Sequence, residues 1–320
     1  MNVELWIVNG ATAYQPSVKS DITWETSRFG EPSSLKFTCL QDNKLNITEG
    51  NAVKLIVDGT NVFFGFIFTI QRDKSEELVI TAYDQLRYLK NKDTYIYKNK
   101  TANQVVSMIA GDFGLNVGSL TDTGHTIEKK VEDNQTLFDI IQNALDETLR
   151  IKKKLYVLYD DFGKLTLKNS ENMLTNILID EETAQNLSYT STINENTYNQ
   201  IKLTYENKDT GKREVYIKKD SGNINKWGVL QFYESIDNPK GAADKADSLL
   251  QLYNAKTKNL KIDKAFGDVR VRAGTSVAVK LNLGDVSLQN YMLVEKAKHT
   301  FGNDSHFMDL TLRGGEINSA

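Results

Sequence analysis

"GNAVKLIVDGTNVFFGFIFTI", residues 50–70, is the stretch on which the fold of this chain turns. It opens on Gly50, sets Val53, Leu55 and Val57 on one face, turns at Asp58-Gly59, and then runs almost wholly apolar from Val62 to Ile70. Alternation with period two predicts a half-buried strand, and an Asp-Gly pair between two such runs predicts a hairpin. A strand apolar on both faces suits the centre of a closed or two-layered sheet. The neighbours agree. "VELWIVNGATAY" (3–14) alternates briefly, "SLKFTCL" (34–40) puts Leu35, Phe37 and Cys39 on one side, and "ELVITAYD" (77–84) closes the run. Short strands with turn signals between them favour a small barrel or sandwich, so residues 1–87 are predicted to form a first β-barrel domain.

More than two hundred residues later, "GTSVAVKLNLGDVSLQNYMLVEKAKHTF" (274–301) uses the same grammar. Gly274 stands three before Val277 as Gly50 stands three before Val53, and a long strand around Val294 answers the one around Ile67. The closing strands are "LVITA" and "MDLTL". The step between the first two strands is 14 residues in one stretch (53 to 67) and 17 in the other (277 to 294), a difference that one hairpin loop absorbs. Internal duplication is one explanation. The general likeness of any two antiparallel meanders is the other.

Between these regions the period changes. Thr101 and Gln104 form a capping-box pattern ahead of Val105, Met108, Ile109 and Phe113, with Gly114 placed to end the helix. Thr136 begins a second helix with the stripe Leu137, Ile140, Ile141, Ala144, Leu145 and Leu149, and "LYVLYDDFGKLTLKN" (155–169) reads as a hairpin across Asp160–Gly163. Residues 88–184 are therefore predicted as a mixed α/β domain. From 185 to 320 a second β-barrel domain is expected. Its first hairpin sets Ile201, Leu203 and Tyr205 against Val215 and Ile217 across a turn at Asp209–Gly211. An inserted helix at about 239–256 has Asp237 or Asn238 as cap, Pro239 at its first position, and Ala242, Ala243, Ala246, Leu249, Leu250 and Tyr253 as its buried face. Three further strands follow in "VRVRAGTSVAVKL" (269–281), "YMLVEKAKHTF" (291–301) and "HFMDLTLRG" (306–314). The fold class read from the sequence is thus α+β: two small antiparallel β-barrel domains flanking a mixed α/β domain.

A chain of 320 residues points to two or three domains of about 100–200 residues each. Hydrophobic residues at 40%, charged residues at 25% and a net charge of −3 fit an ordinary globular protein with no global pull toward nucleic acid or anionic membrane. Cys39 is the only cysteine, which excludes an intrachain disulfide and a CxxC site. "MNVELWIVNG" lacks the basic and long apolar regions of a signal peptide, and no run of about 18 apolar residues occurs, so neither Sec export nor membrane insertion is expected.

The search for chemistry yields little. His299 and His306, with Glu295 and Asp309, are the only set that suggests a metal, but four ligands on alternating strands would all have to share one face; ordinary sheet-surface polar residues are the expectation. Asp160–Asp161 and Glu181–Glu182 could be imagined as a glycosidase pair, yet Asp160–Asp161 falls in a turn, where aspartate serves local hydrogen bonding. Lys129–Lys130 and Lys152–Lys154 read as solvated surface because no aromatics are interleaved with them. Walker, Gly-x-Ser-x-Gly and His-Glu-x-x-His motifs are missing. With 13 Phe and 14 Tyr but 3 His and 1 Cys, the chain is equipped for packing more than for proton or metal work. No catalytic, cofactor-binding or metal residue is assigned.

Three stretches together resemble a family. "AYDQLRYLKNKDTYIYKNKTANQVVSMIAGDFGL" (82–115), "TLFDIIQNALDETLRIKKKLYVLYDDFGKLTL" (136–167), and "AFGDVRVRAGTSVAVKL" (265–281) with "YMLVEKAKHTFGNDSHFMDLTLRG" (291–314) are similar, in that order, to phage tail baseplate hub proteins of the XkdQ and late-control-D type. The resemblance implies a structural, non-enzymatic hub of a contractile tail or R-type bacteriocin, related to the base of the type VI secretion spike. It implies a homotrimer whose two barrels per chain make a pseudo-sixfold ring joining the hexameric tail tube to the trimeric spike. Tape-measure and inner baseplate proteins of LysM or wedge type would be further partners, with no cofactor, no specific nucleic-acid binding and no membrane insertion. The particle's baseplate, assembled in the host cytoplasm, would be its location. A carbohydrate- or receptor-binding tail module and a cell-wall hydrolase are the alternative readings.

Overall fold

A computed structural model describes all residues except 42–45, 73, 75, 208–209, 237–238, 283–286, 303 and 315–320. In chain order the first β unit holds β1 (Val3–Asn9), β2 (Thr12–Tyr14), β3 (Ile22–Ser27), β4 (Ser34–Leu40), β5 (Ala52–Val57), β6 (Thr60–Arg72) and β7 (Glu77–Tyr83). A middle unit follows, with β8 (Lys92–Thr101), α1 (Ala102–Asp112), β9 (Val117–Leu120), β10 (Thr126–Thr136), α2 (Leu137–Lys152), β11 (Tyr156–Asp160) and β12 (Leu165–Asn169). The remainder comprises β13 (Leu174–Ile179), β14 (Asn186–Thr192), β15 (Gln200–Asn207), β16 (Lys212–Lys219), α3 (Ser221–Trp227), β17 (Gln231–Ser235), α4 (Ala242–Tyr253), β18 (Thr257–Phe266), β19 (Ser276–Asn282), β20 (Ser287–Phe301) and β21 (His306–Gly314).

The protein is α+β, with mostly antiparallel sheets. In the first unit the strands pair in the order β1-β5-β6-β7-β4-β3, and in the last they pair as β13-β19-β20-β21-β18-β14. Matched position by position, the two paths also follow the same chain order. The likeness extends to single hydrogen bonds. Gly50 N–H donates to the Ile67 carbonyl and Ile67 N–H to that of Asn51; Gly274 N–H donates to Val294 and Val294 N–H to Thr275. Thr48 N–H donates to the Asn51 side chain as Arg272 N–H does to the Thr275 hydroxyl. The ladder to the closing strand breaks register just after Ile67 in one unit and just after Val294 in the other, each time by one bulged residue, Phe68 or Glu295. Shared bulges are not a property of meanders in general, so these details favour duplication. The two paths differ in the direction of one pairing: β1 lies antiparallel to β5, whereas β13 lies parallel to β19.

Each path is curled. In the last unit the end strands β13 and β14 are joined by a tight Asp180–Thr183 turn, although a flat path would hold them about 24 Å apart at roughly 4.8 Å per strand. In the first unit Val3 and Leu5 of β1 line one groove with Ile22 of β3. The expected barrels are therefore curled six-strand units whose ladders do not close among the described residues, each with its own apolar core. They are not separate either: β3 pairs with β20, and the whole becomes one 13-stranded sheet.

The middle unit follows its sequence pattern closely. Gln104 Oε1 accepts from Thr101 N–H at 3.1 Å, and Gly114 ends the first helix in the left-handed region. The Thr136 hydroxyl caps α2 through Asp139 N–H. The face Leu137, Ile140, Ile141, Ala144 and Leu145 is buried against α1 and the β8–β10 ladder. The hairpin β11–β12 turns where the aspartates stand.

Four expectations need correction. Residues 269–281 are not one strand: two turns, Asp268–Val271 and Arg272–Thr275, and the positive φ of Gly274 delay β19 to Ser276. Val215 and Ile217 do not join Ile201 and Leu203, because the register pairs them with Thr204 and Lys202 and so exposes them on the opposite face. That hairpin belongs with β17 and α4 to a small unit with its own core, inserted between β14 and β18. Finally, α4 starts at Ala242 and not at Pro239, since Gly241 at φ 73 cannot continue a helix. Ala243, expected on the buried face, is exposed, and the buried residues are Ala242, Ala246 and Leu249. Asp237 and Asn238, expected as caps, Asp209 of the expected turn, and Asn303 between His299 and His306 lie outside the described residues.

The paired glycines give a test. A Cβ on Gly50 would meet open space, so Gly50→Ala should cost about 1–2 kcal/mol for the left-handed backbone alone. A Cβ on Gly274 would lie 2.4 Å from Val157 Cγ1. Gly274→Ala should therefore cost clearly more, about 3–4 kcal/mol, by urea unfolding.

Candidate functional site

What the fold positions most carefully is a seam. β3 and β20 pair antiparallel from Ile22↔Phe301 to Ser27↔Lys296. Alternation along β20 turns Ala297 and His299 inward and leaves Lys296 and Lys298 exposed. Glu25 stands opposite Lys298, a cross-strand pair of opposite charge. At the seam's edge Arg28 N–H donates to the Glu295 carbonyl, and its guanidinium Nε holds the Glu295 carboxylate at 2.7 Å. Thr26 adds a clasp: its hydroxyl accepts from Ala273 N–H at 2.9 Å.

Inside the seam the His299 ring stacks on Trp24, centroids 4.9 Å apart. His299 Nε2 lies 2.7 Å from the Val271 carbonyl, which can only accept, so Nε2 carries the proton. Its Nδ1 is left as an acceptor and takes the Nε2–H of His306 at 2.9 Å. Burial, assisted by the His306 charge, pushes His299 down to about 3. Burial also brings His306 down to about 4, against the pull of Asp268. Both imidazoles are neutral near pH 7, and protonating His299 would turn an acceptor into a second donor facing His306.

From the seam a polar chain runs into the middle unit. Trp24 Nε1 donates to the Ser33 hydroxyl at 2.9 Å, Ser33 N–H donates to Asp84 Oδ2 at 3.2 Å, and Asp84 Oδ1 accepts from Leu86 N–H. The next residue, Gln85, donates to Asp160 Oδ2 at 2.8 Å and accepts from Asn116 N–H at 3.0 Å. Asp160 Oδ1 meanwhile closes its hairpin by accepting from Gly163 N–H. Arg272, from the last unit, lays its guanidinium over the Tyr159 ring at 4.1 Å. Burial and the charge of Asp160 raise the Asp84 carboxyl well above its usual range, and burial raises Asp160. The Arg272 charge draws both back down, so all three units meet at one cation and two buried carboxyls.

Of the residues singled out in the sequence, His299 and His306 do meet, but neither carboxylate joins them, and the expectation of sheet-surface polar residues fails for His299, whose side of β20 is covered by Trp24 and Val271 and which is wholly buried. Glu295 belongs to Arg28, and Asp309 faces the other side of β21, accepting from Lys264 N–H. No group of three or more metal-ligating side chains in suitable geometry exists among the described residues. Asp160 is the turn residue expected and a contact between units besides. Glu181 accepts from Asn282 N–H, and Glu182 N–H donates to Asp180. Lys129 and Lys152–Lys154 are exposed, Lys130 is half-buried, and Lys153 also reaches Gln251 on α4. No helix among the described residues is long and apolar enough to cross a membrane. Trp24, Arg28, Gln85 and Arg272 went unnoticed in the sequence, because their partners lie in distant segments.

Two consequences are measurable. With both histidines shifted below the usual 6.5, they bind fewer protons in the folded chain than in the unfolded one between about pH 6.5 and about 3. Their contribution is complete above the unfolded value and is lost as pH falls through that window, while the raised Asp84 and Asp160 act in the opposite sense. Urea midpoints should therefore fall more steeply with acid in the parent than in His306→Phe; equal slopes would clear His306 of this role. Removing the cation by Arg272→Met should cost about 3 kcal/mol, and Asp84→Asn in the same chain should recover part of it in a double-mutant cycle.

Comparison with known proteins bears on the whole chain. The YQBQ-like family profile matches residues 22–313. The phage-like element PBSX protein XkdQ of Bacillus subtilis (strain 168) is 29% identical in an alignment 320 positions long that takes in 96% of each chain. Among solved structures, the 43 kDa tail protein of prophage MuSo2 from Shewanella oneidensis superposes with a TM-score of 0.71 at 13% identity, covering 99% of this chain and 100% of that one. The E. coli c3393 protein superposes with a TM-score of 0.58 at 11% identity, covering 100% of this chain and 79% of its own. It is described as a component of the type VI secretion system with structural similarity to T4 bacteriophage tail proteins gp27 and gp5. At such identities the last two likenesses concern the fold alone.

Proposed function

The chain belongs to the YQBQ-like family and is an XkdQ/YqbQ-like phage tail protein, and from that premise we propose that it is the structural hub of a contractile-tail baseplate. In this reading the protein is a homotrimer whose curled β units, two per chain, act as barrel-like segments of a pseudo-sixfold ring. One face of the ring stacks on the hexameric tail tube, and the threefold axis receives the trimeric spike. Tape-measure and inner baseplate proteins complete the surroundings, the particle's baseplate is its location, and the role involves no catalysis. Three domains serve it: residues 1–87 as one ring segment, residues 185–320 with their inserted helix as the other, completed by β13 from the end of 88–184, and the rest of 88–184 as the spacer between them.

The observation that carries this reading is the duplication in atomic detail. A chain that repeats one six-strand path, down to the Gly50 and Gly274 hydrogen bonds and the Phe68 and Glu295 bulges, offers two similar surfaces per protomer. Three head-to-tail steps then generate six of them. The Trp24–Asp84–Asp160–Arg272 network supports it, because it fixes the two units relative to each other, as a ring segment requires.

Light scattering should give three times 36.1 kDa for the purified chain alone, or three copies of the chain plus the spike's own mass when trimerisation takes the spike of the same particle. A stable dimer under both conditions would overturn the hub. Glycan-dependent binding of the isolated chain to whole cells would instead favour a receptor-binding module, and clearing in a peptidoglycan zymogram would favour a hydrolase.

A further inference from the structure

The duplicated strand paths can be superposed residue by residue, and doing so exposes an asymmetry in their edges. Placing Val294 on Ile67 puts Lys296, Ala297, Lys298 and His299 of β20 on Thr69, Ile70, Gln71 and Arg72 of β6. Carried through the ladders β7–β4 and β21–β18, the same match puts Ile22, Trp24, Glu25, Thr26 and Ser27 of β3 on Leu187, Tyr189, Thr190, Ser191 and Thr192 of β14. Within the chain, the β20 edge is filled by β3. Among the described residues nothing fills the equivalent β6 edge at Thr69–Arg72, and β14 ends its sheet path with only β18 beside it.

Exposure follows this difference. Ile22, Trp24, Thr26 and Ala297 are buried in the seam, whereas Leu187, Tyr189 and Ile70 are half-buried and Ser191 is exposed. A row of unpaired N–H and C=O groups is a template for another strand. Here the strand that fits it is already written once in the molecule.

We propose that the Thr69–Arg72 edge of β6 receives residues 189–192 of β14 from a second copy of this chain, antiparallel, in the register Thr69↔Thr192, Ile70↔Ser191, Gln71↔Thr190 and Arg72↔Tyr189. The contact repeats the β3–β20 seam between chains. Its direction is consistent: in the seam a β3-type edge enters a β20-type edge, and the intermolecular step is again a β14 edge entering a β6 edge, so every unit docks head to tail on the next. The inference rests on the hub reading for the identity of the partner and the closure of the ring, and adds the strands and register that make the joint.

Two sets of variants of the full chain test it. The single native thiol, Cys39, is buried, so paired cysteines can be introduced cleanly. Thr69→Cys with Thr192→Cys, and Gln71→Cys with Thr190→Cys, place Cα atoms opposite one another within disulfide reach. Oxidation should give covalent dimers and trimers on non-reducing gels, whereas the off-register pair Thr69→Cys with Thr190→Cys should give several-fold less. Gln71 and Thr190 also occupy the positions of Lys298 and Glu25. Gln71→Lys with Thr190→Glu should therefore copy the in-chain charge pair and lower the concentration for half-assembly by about five-fold, while Gln71→Lys with Thr190→Lys should raise it. A trimer that forms without in-register cross-links and ignores these charges overturns the joint and leaves the hub standing. A chain that neither assembles nor cross-links at any concentration, alone or with the spike of the same particle, overturns both.

Discussion

Everything in this molecule answers to one requirement: backbone hydrogen-bonding groups at a sheet edge must find partners. A curled six-strand unit that does not close its own ladder leaves edges, and the chain meets this by pairing β3 of one unit with β20 of the other. Six residue pairs join segments about 270 residues apart in sequence, and they turn two small cores into one sheet. The stacked Trp24 and His299, the Arg28–Glu295 ion pair and the Thr26 clasp are all arranged around that joint. Without it, the two units would be tied only through the middle unit.

The electrostatics of the seam have a structural logic. His299 is buried, yet its two nitrogens are both used, one donating to Val271 and one accepting from His306, so no polar atom of the ring is stranded. Asp84 and Asp160 are harder to accommodate, since two carboxyls close together in a desolvated setting repel one another. Backbone N–H groups of Ser33, Leu86 and Gly163, the Gln85 amide and the Arg272 charge all lean against that repulsion. Buried charge of this kind adds little net stability, but it tolerates few alternative arrangements, and it sits where three units must keep a fixed relation.

Local features were legible in the sequence and distant ones were not. Gly50 and Gly274, Thr136, Gly114 and the Asp160–Gly163 turn each announce themselves within a few residues, because caps and turns are short-range chemistry. The second copy of the β pattern could be suspected from Val277 and Val294. What favours duplication is a set of bulges and hydrogen bonds that leave no trace in residue types. The pairing of β3 with β20 was invisible, since nothing near Trp24 says what stands opposite it. Val215 and Ile217 misled through a one-residue register choice that alternation alone cannot make, and Pro239 misled because Gly241 stops the helix from reaching it. His299 and His306 stand out in the sequence only as a weak metal pattern, and burial makes His299 something other than the surface residue expected. What they do together, hydrogen bonding in a closed pocket, depends on Val271 and Trp24, which the pattern could not supply.

The small unit between β14 and β18 stands apart from this repetition. The corresponding link in the first half, between β3 and β4, is a short turn, whereas here the chain builds a separate three-stranded sheet with its own helices. It is moored to the middle unit by Arg150 with Glu234 and by Lys153 with Gln251. The molecule is thus twofold repetitive in its framework and single-copy at its periphery. A ligand that grips this appendage binds with a stoichiometry of one per chain, and that count alone separates it from any ligand reading the repeated framework.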